Sequence, residues 1–212
     1  MNEKTQDRRI AKTNRIIRDA FVELLNEKSF EEITVNDLSK RADINRGTFY
    51  LHYRDKFELL EKYENEIISS MVEYISGFKD FYPTDLIKAD KIEPPLFIVK
   101  LFEFIGENAT FIKVALGPQA NPSFQNKLKK VFIDRITKNT ENKFEKEKLD
   151  IPFEYLLVFI TSNYIGCIQH WLITDMATTP EETAKILIKL MAFGSNGVFG
   201  FYNISNEGKQ VF

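Results

Sequence analysis

Side chains that suit nucleic-acid recognition are concentrated between residues 36 and 56. The segment NRGTFYLHYRDK, which begins at Asn45, combines hydroxyl, amide, imidazole and cationic groups within twelve residues. Such groups bind phosphate oxygens, and arginine can also bind a guanine through two hydrogen bonds. The chemistry indicated is therefore binding. The candidate DNA-binding residues are Asn36, Asn45, Arg46, Gly47, Thr48, Tyr50, His52, Tyr53 and Lys56.

Two short helices are predicted to hold these residues. Thr34 can cap the first helix, VNDLSKRA, with Asp37 at the position that completes a capping box. The residues Asp43 to Asn45 form a tight turn, and Asn45 can cap the second helix, RGTFYLHY. This order is typical of a helix-turn-helix motif, whose second helix enters the major groove of DNA with its first residues toward the bases.

Individual residues of this motif allow different roles. Arg46 could bind guanine, and Gly47 would let the backbone approach DNA because it has no side chain. Phe49 is expected in the core, whereas Tyr53 fits the core or a DNA contact equally well. His52 is not expected to bind a metal, because no partner ligand is near it in the sequence.

Charge is distributed unevenly along the chain. The first 56 residues contain 12 basic and 10 acidic side chains, a balance of +2, whereas the other 156 contain 17 and 21, a balance of −4. A basic end on an acidic body suits contact with a polyanion. On charge alone, the same pattern also fits a solvated helix face. The net charge of −2 excludes a uniformly basic nucleic-acid coat.

The segments ITVNDLSKRADI and INRGTFYLHYRDKFELL resemble the DNA-binding signature of the TetR family of bacterial regulators. The resemblance covers about residues 9–60, and it implies an all-α fold of about nine helices. It further implies a DNA-binding domain at residues 1–54 and a regulatory and dimerisation domain at 55–212. A homodimer formed by the last two helices would then bind a palindromic operator in double-stranded DNA. Helical periodicity along the rest of the chain is consistent with this fold.

The C-terminal part contains candidates for an effector pocket. Asn163, Cys167 and His170 fall on one face of an apolar helix. Buried polar groups need partners, which could be the other subunit, an internal hydrogen bond or a ligand. The candidate pocket residues are Phe102, Phe111, Asn163, Tyr164, Cys167, His170 and Trp171.

Several other classes of protein do not fit the sequence. One cysteine excludes an internal disulfide, and one cysteine with two histidines disfavours a four-ligand zinc site. No nucleophile–base pair or phosphate-binding glycine loop indicates an enzyme, and no cofactor is expected. Polar residues interrupt the apolar stretch from Leu156 to Ile173, so we expect a buried helix and no membrane span. The N-terminus lacks an apolar signal segment, which favours the cytoplasm.

Two mechanisms of regulation remain open from the sequence. The first is a repressor released from its operator by a small apolar effector. The second is a regulator of the same fold that is controlled by a partner protein or acts as an activator.

Overall fold

The computed structural model describes residues 3–75, 93–117, 120, 122–140 and 152–198. These residues contain nine helices and no strand, which confirms the predicted all-α fold. The helices are α1 (Glu3–Leu25), α2 (Val35–Arg41), α3 (Arg46–His52), α4 (Lys56–Ile75), α5 (Leu96–Glu107), α6 (Ala109–Ala115), α7 (Pro122–Thr140), α8 (Phe153–Ile173) and α9 (Pro180–Val198).

Proline marks the start of several helices, as the sequence predicts. Pro122 and Pro180 are the first residues of α7 and α9, and Pro152 directly precedes α8. Proline suits these positions because the first amides of a helix have no partner within the helix. The sequence predicts that the helix after Pro122 runs from Ser123 to about Lys148, and residues 141–148 lie outside the described residues.

Buried apolar side chains form a continuous core that extends from α1 to α9. It begins at Ile17 and Phe21 in α1 and reaches Leu187 and Ile188 in α9. Helix α1 packs against α2, α3 and α6, whereas α4 packs against α5 and α7. The predicted domain boundary after residue 54 falls in the turn between α3 and α4. The core crosses this turn, so the parts on either side of it are packed against each other.

Helix α8 is, among the described residues, the one helix long and apolar enough to cross a membrane. One of its faces is buried inside the protein, including the side chains of Tyr164, Ile168 and Trp171. It packs against α5, α6, α7 and α9. Its apolar character is therefore explained in part by its place in the core.

Candidate nucleic-acid interface

The first helix of the motif is fixed by the capping box that the sequence predicts. The Thr34 Oγ1 accepts a hydrogen bond from the Asp37 amide at 3.2 Å, and Asp37 Oδ2 accepts one from the Thr34 amide at 3.0 Å. Lys28 donates to the same carboxylate at 2.8 Å. These hydrogen bonds, led by that from Lys28, hold the pKa of Asp37 well below its usual range. The start of α2 is thereby tied to the turn that follows α1.

A second contact holds α2 against α1. The Arg41 guanidinium donates to Glu27 at 2.8 Å and to Glu23 at 3.2 Å. These bonds lower the pKa of Glu27 and raise that of Arg41. Arg41 is thus paired within the protein, whereas Arg46 in α3 is exposed and has no hydrogen bond or ion pair in the described chain.

The turn between α2 and α3 requires an unusual backbone conformation at Asp43, whose φ is 51°. Aspartate tolerates this left-handed region better than most residues with a side chain. The amide of Ile44 then donates to the Ser39 carbonyl at 3.0 Å, which closes the turn. The tight turn predicted from the sequence is present, and it sets the angle at which α3 leaves α2.

Helix α3 begins at a cap made by Asn45. The Asn45 Oδ1 accepts from the Thr48 amide at 2.8 Å and from the Thr48 hydroxyl at 3.1 Å. A Cβ atom at Gly47 would lie 3.2 Å from that same oxygen. Glycine therefore leaves room for the cap. It also adds no side chain to the exposed face of the helix, which is consistent with the predicted close approach of the backbone to DNA.

The buried side of α3 is formed by Phe49 and Tyr53, whose ring centroids lie 5.7 Å apart. This confirms Phe49 as a core residue, and the burial of Tyr53 supports the core role rather than a DNA contact. Burial also raises the pKa of Tyr53. Tyr50 lies outside the core and is exposed, as is Asn36 on α2.

His52 lies at the end of α3 and is partly buried. Burial, followed by the nearby charge of Lys62, lowers the pKa of its imidazole. The charged form of the imidazole is therefore disfavoured in the free protein. No group of three or more potential metal ligands occurs among the described residues.

Lys56, the first residue of α4, binds three backbone carbonyls within the protein. Its ammonium donates to Phe30, Glu31 and Ile33 at distances of 2.7 to 2.9 Å. All three donor hydrogens of the ammonium can be satisfied by these contacts. Lys56, one of the candidate DNA-binding residues, thus holds the loop before α2, and its contact with DNA remains a prediction.

The sequence predicts a capping box between Asp55 and Glu58 at the start of α4, and the structure departs from it. Asp55 accepts from the amides of Phe57 and Glu58, as a cap should. The Glu58 carboxylate, however, accepts from the Arg54 amide at 2.7 Å. This bond is the main reason why the pKa of Glu58 is lowered to about 2. The reciprocal half of the box is therefore shifted by one residue.

The seven candidate pocket residues separate into two groups. Asn163, Cys167 and His170 line a groove of about 590 Å³ on the surface between α8 and α9, with Trp171 at its edge. Phe102, Phe111 and Tyr164 are buried in the core. The Phe102 ring packs against Trp171 with centroids 5.4 Å apart. The structure thus confirms the shared face of Asn163, Cys167 and His170 but does not unite all seven residues in one cavity.

Internal hydrogen bonds account for some of these polar groups. Asn163 donates to the Phe159 carbonyl at 2.9 Å, and the Trp171 indole donates to the Thr178 carbonyl at 2.8 Å. Burial raises the pKa of the Cys167 thiol, which disfavours its reactive thiolate form.

Two exposed apolar features were not among the predicted site residues. Leu51 lies on α3 between Tyr50 and His52, and an apolar strip that includes Tyr155, Phe159 and Ile173 runs along α8. The position of Leu51 two residues after the buried Phe49 could have indicated that it points away from the core. The α8 strip shares its helix with core residues, so composition alone could not separate the two faces.

Comparison with known proteins identifies both parts of the chain. Residues 17–63 match the family model described as bacterial regulatory proteins, tetR family, and residues 93–192 match that of a transcriptional regulator C-terminal region. The chain is 33% identical over 75 residues to the uncharacterized HTH-type transcriptional regulator YxbF of Bacillus subtilis. It is 34% identical over 71 residues to the dhaKLM operon transcriptional activator DhaS of Lactococcus lactis.

These alignments include 35% and 33% of this chain, and they span only 20% and 36% of the respective relatives. Solved structures extend the similarity in fold. A TetR transcriptional regulator from Streptococcus agalactiae is 24% identical with a TM-score of 0.62, over 90% of this chain and 99% of the other. FadR from Bacillus subtilis, solved in complex with stearoyl-CoA, is 20% identical with a TM-score of 0.62, over 84% and 97%. The chain belongs to the TetR family of bacterial transcriptional regulators.

Proposed function

We propose that this regulator binds a palindromic operator as a homodimer and represses transcription until an effector releases it. The observation that carries the DNA-binding part is the geometry of α3. Its cap and its buried face are fixed by Asn45 and Phe49, which leaves Arg46, Gly47 and Tyr50 exposed on one element. A helix held in this way can enter the major groove as a rigid unit.

Selection of bound sequences from a random duplex pool tests this proposal. A salt concentration of about 150 mM suppresses nonspecific binding to phosphates. We expect a palindrome whose half-sites are centred roughly 34–36 Å apart, or one turn of DNA. The same selection with the Arg46→Ala variant should give a consensus sequence that is weaker at one position of each half-site. Failure of the wild-type protein to enrich any sequence would contradict the proposal.

The apolar strip of α8 supports a dimer through the last two helices. Tyr155 is 72% exposed and Phe159 is 50% exposed, and Ile186 of α9 is also exposed. Farther along α8, a Cβ atom at Gly166 would have no neighbour within 4 Å. Exposed aromatic groups beside a residue without a side chain suit close packing of a second copy.

Light scattering should give a mass near two chains at micromolar concentration. The double variant Tyr155→Arg/Phe159→Arg should shift the protein to the monomer and abolish binding to the palindrome, because both side chains are exposed and the fold does not need them. Leu96→Arg, at a leucine of α5 that is 70% exposed, provides the matched control and should leave the dimer intact. Equal masses for both variants would contradict this interface.

A long-chain acyl-CoA is the effector class that we propose to test first. The B. subtilis FadR neighbour was solved with stearoyl-CoA, and a FadR from Thermus thermophilus was solved with lauroyl-CoA. An anionic ligand needs a cation, and Arg135 of α7 is the one arginine among residues 55–212 of the sequence. Its Nε is buried without a hydrogen-bond partner. Arginine suits carboxylate and phosphate groups because it can form two parallel hydrogen bonds.

Thermal melting with acyl-CoAs of increasing length tests this class. Binding to the native state raises the melting temperature, and a ligand at 100 times its Kd adds about 2.7 kcal/mol of stability. Arg135→Gln should remove most of that shift, whereas Lys138→Gln, a nearby variant on the exposed side of α7, should retain it. No shift with any acyl-CoA would contradict this effector class.

Control by a partner protein, or activation of transcription, is the second candidate. Activation is favoured by the similarity in sequence to the operon activator DhaS, and a DhaS structure is also similar in fold. A reporter with the selected operator beside a promoter would separate the two candidates. Deletion of the regulator should raise expression from a repressed promoter and lower it from an activated one. The proposed site of action is the cytoplasm, where chromosomal DNA is accessible.

A further inference from the structure

Leu51 is the most exposed large apolar side chain of the described chain, at 85% of its surface. It lies in α3, where successive residues are rotated by about 100° around the axis, so it is about 200° from the buried Phe49. Gly47 is one turn before Leu51 and therefore shares its outward face. The centre of the surface that would face DNA thus contains a glycine, Gly47, and a leucine one turn later, Leu51.

An exposed leucine at this place is unfavourable in water but has a suitable partner in the major groove. The C5-methyl group of thymine is the apolar group that the major groove presents, and apolar side chains contact it in direct readout. Because Gly47 has no side chain, the backbone of α3 beside Leu51 can come close to the bases. The polar neighbours Arg46 and Tyr50 are both exposed and can bind base edges or phosphates on either side.

We propose that Leu51 is a specificity-determining residue that contacts the methyl group of one thymine in each half-site. The inference rests on the proposed binding of a palindromic operator. It adds that α3 selects thymine at a base position beside the one that Arg46 contacts. The contact excludes water from both the leucine and the methyl group, so it favours thymine over cytosine and over uracil at that position.

Replacement of single thymines by deoxyuridine in the selected operator tests the contact, since this change removes only the methyl group. Burial of one methyl-sized group changes affinity about fourfold. We expect a loss of roughly fourfold when the critical thymine of one half-site is replaced, and roughly 15-fold when both are replaced. Leu51→Ala should bind the original operator more weakly and should be insensitive to the same replacement.

Two controls separate this contact from a general loss of binding. Leu51→Ala should keep the wild-type melting temperature and salt dependence, because it removes neither a core contact nor a phosphate contact. Leu96→Ala, at the exposed leucine of α5, should leave affinity and deoxyuridine sensitivity unchanged. An operator that tolerates deoxyuridine at every position, or equal sensitivity in Leu51→Ala, would overturn the inference while the proposed function stands. Absence of any selected operator would overturn both.

Discussion

The ring of Phe111 in α6 lies against the ring of Phe21 in α1, with centroids 6.4 Å apart. Phe111 also contacts Tyr63 of α4 at 4.4 Å and Phe124 of α7 at 5.9 Å between centroids. One side chain thus joins the helix that supports the DNA-binding motif to three helices of the body. A displacement of α6 or α7 would change the packing of α1, which gives the body a physical route to the DNA-binding helices.

Phe111→Ala should lower the free energy of unfolding by about 3–5 kcal/mol, because it opens a cavity among the three aromatic rings that Phe111 contacts. Urea denaturation at one fixed protein concentration would measure this, since a dimer's stability depends on concentration. Val114→Ala, on the exposed side of the same helix, is the matched control and should change stability by less than about 1 kcal/mol. Similar losses in the two variants would show that Phe111 does not connect the helices as described.

A second link between α4 and α7 is an ion pair. Lys127 donates to Glu64 at 2.9 Å, and the Glu64 side chain is only 8% exposed. Lys127→Met would leave this carboxylate buried without its partner, which should cost about 1–3 kcal/mol. Glu64→Gln should cost less, because the amide oxygen can still accept the hydrogen bond and Lys127 can reach water.

Lys100→Met provides the control for this prediction. The Lys100–Glu103 pair has a similar distance of 2.6 Å, but both side chains are about half exposed. Exposed pairs contribute little, so we expect a change below about 1 kcal/mol. If Lys127→Met were no more destabilising than Lys100→Met, burial of Glu64 would not matter to stability.

How far the sequence could predict this molecule depends on the distance between interacting residues. The caps at Thr34 and Asn45 were predictable because each partner lies three residues away, and local hydrogen bonds follow local sequence rules. The role of Lys56 was not, since its carbonyl partners precede it by more than 20 residues. A capping box at the start of α4 would have Glu58 accept from the Asp55 amide. Glu58 instead accepts from the Arg54 amide, one position earlier, and the sequence alone could not distinguish these two donors.

The candidate pocket shows the same limit. Helical spacing correctly placed Asn163 and Cys167 on one face, but it could not reveal whether that face is toward the core or the surface. The aromatic character of Phe111 and Tyr164 makes both residues candidates for a pocket. Packing among other rings satisfies an aromatic side chain as well as a ligand does, and only the tertiary structure distinguishes the two.

Lys56→Met should destabilise the protein and weaken its binding to all DNA sequences. The variant loses three charged hydrogen bonds that hold the loop before α2, and we expect a loss of about 2 kcal/mol in stability. Because its ammonium is already bound by carbonyls, we expect the salt dependence of DNA binding to stay unchanged. A salt slope reduced by about 1 would instead show that Lys56 binds a DNA phosphate.

Arg46→Ala is the complementary variant, since Arg46 has no partner in the described chain. It should keep the wild-type melting temperature and lose about 1–3 kcal/mol of operator affinity, with relaxed preference at one base position. Binding measurements on the operator and on variants of each base would test this. Equal losses on specific and random DNA would remove the base-reading role of Arg46.

His52 should couple DNA binding to pH. In the free protein its pKa lies below the ordinary value, owing to burial and to the charge of Lys62. The unfolded chain therefore binds more protons between the folded pKa and about 6.5, so the contribution of His52 to stability falls as pH falls through this window. DNA phosphates favour the charged imidazole and raise its pKa, so binding takes up protons. Operator affinity should consequently increase as pH is lowered from 8 to 6.

Fluorescence anisotropy at constant ionic strength would measure this pH dependence, and calorimetry in buffers of different ionisation enthalpy would count the protons taken up. His52→Gln should flatten the profile, because glutamine can replace a hydrogen bond but not the charge. The sequence has one other histidine, His170 on α8, and His170→Gln is the matched control that should keep the wild-type profile. Proton uptake that persists in His52→Gln but disappears in His170→Gln would place the titrating group away from α3 and indicate that protonation acts through the body of the regulator.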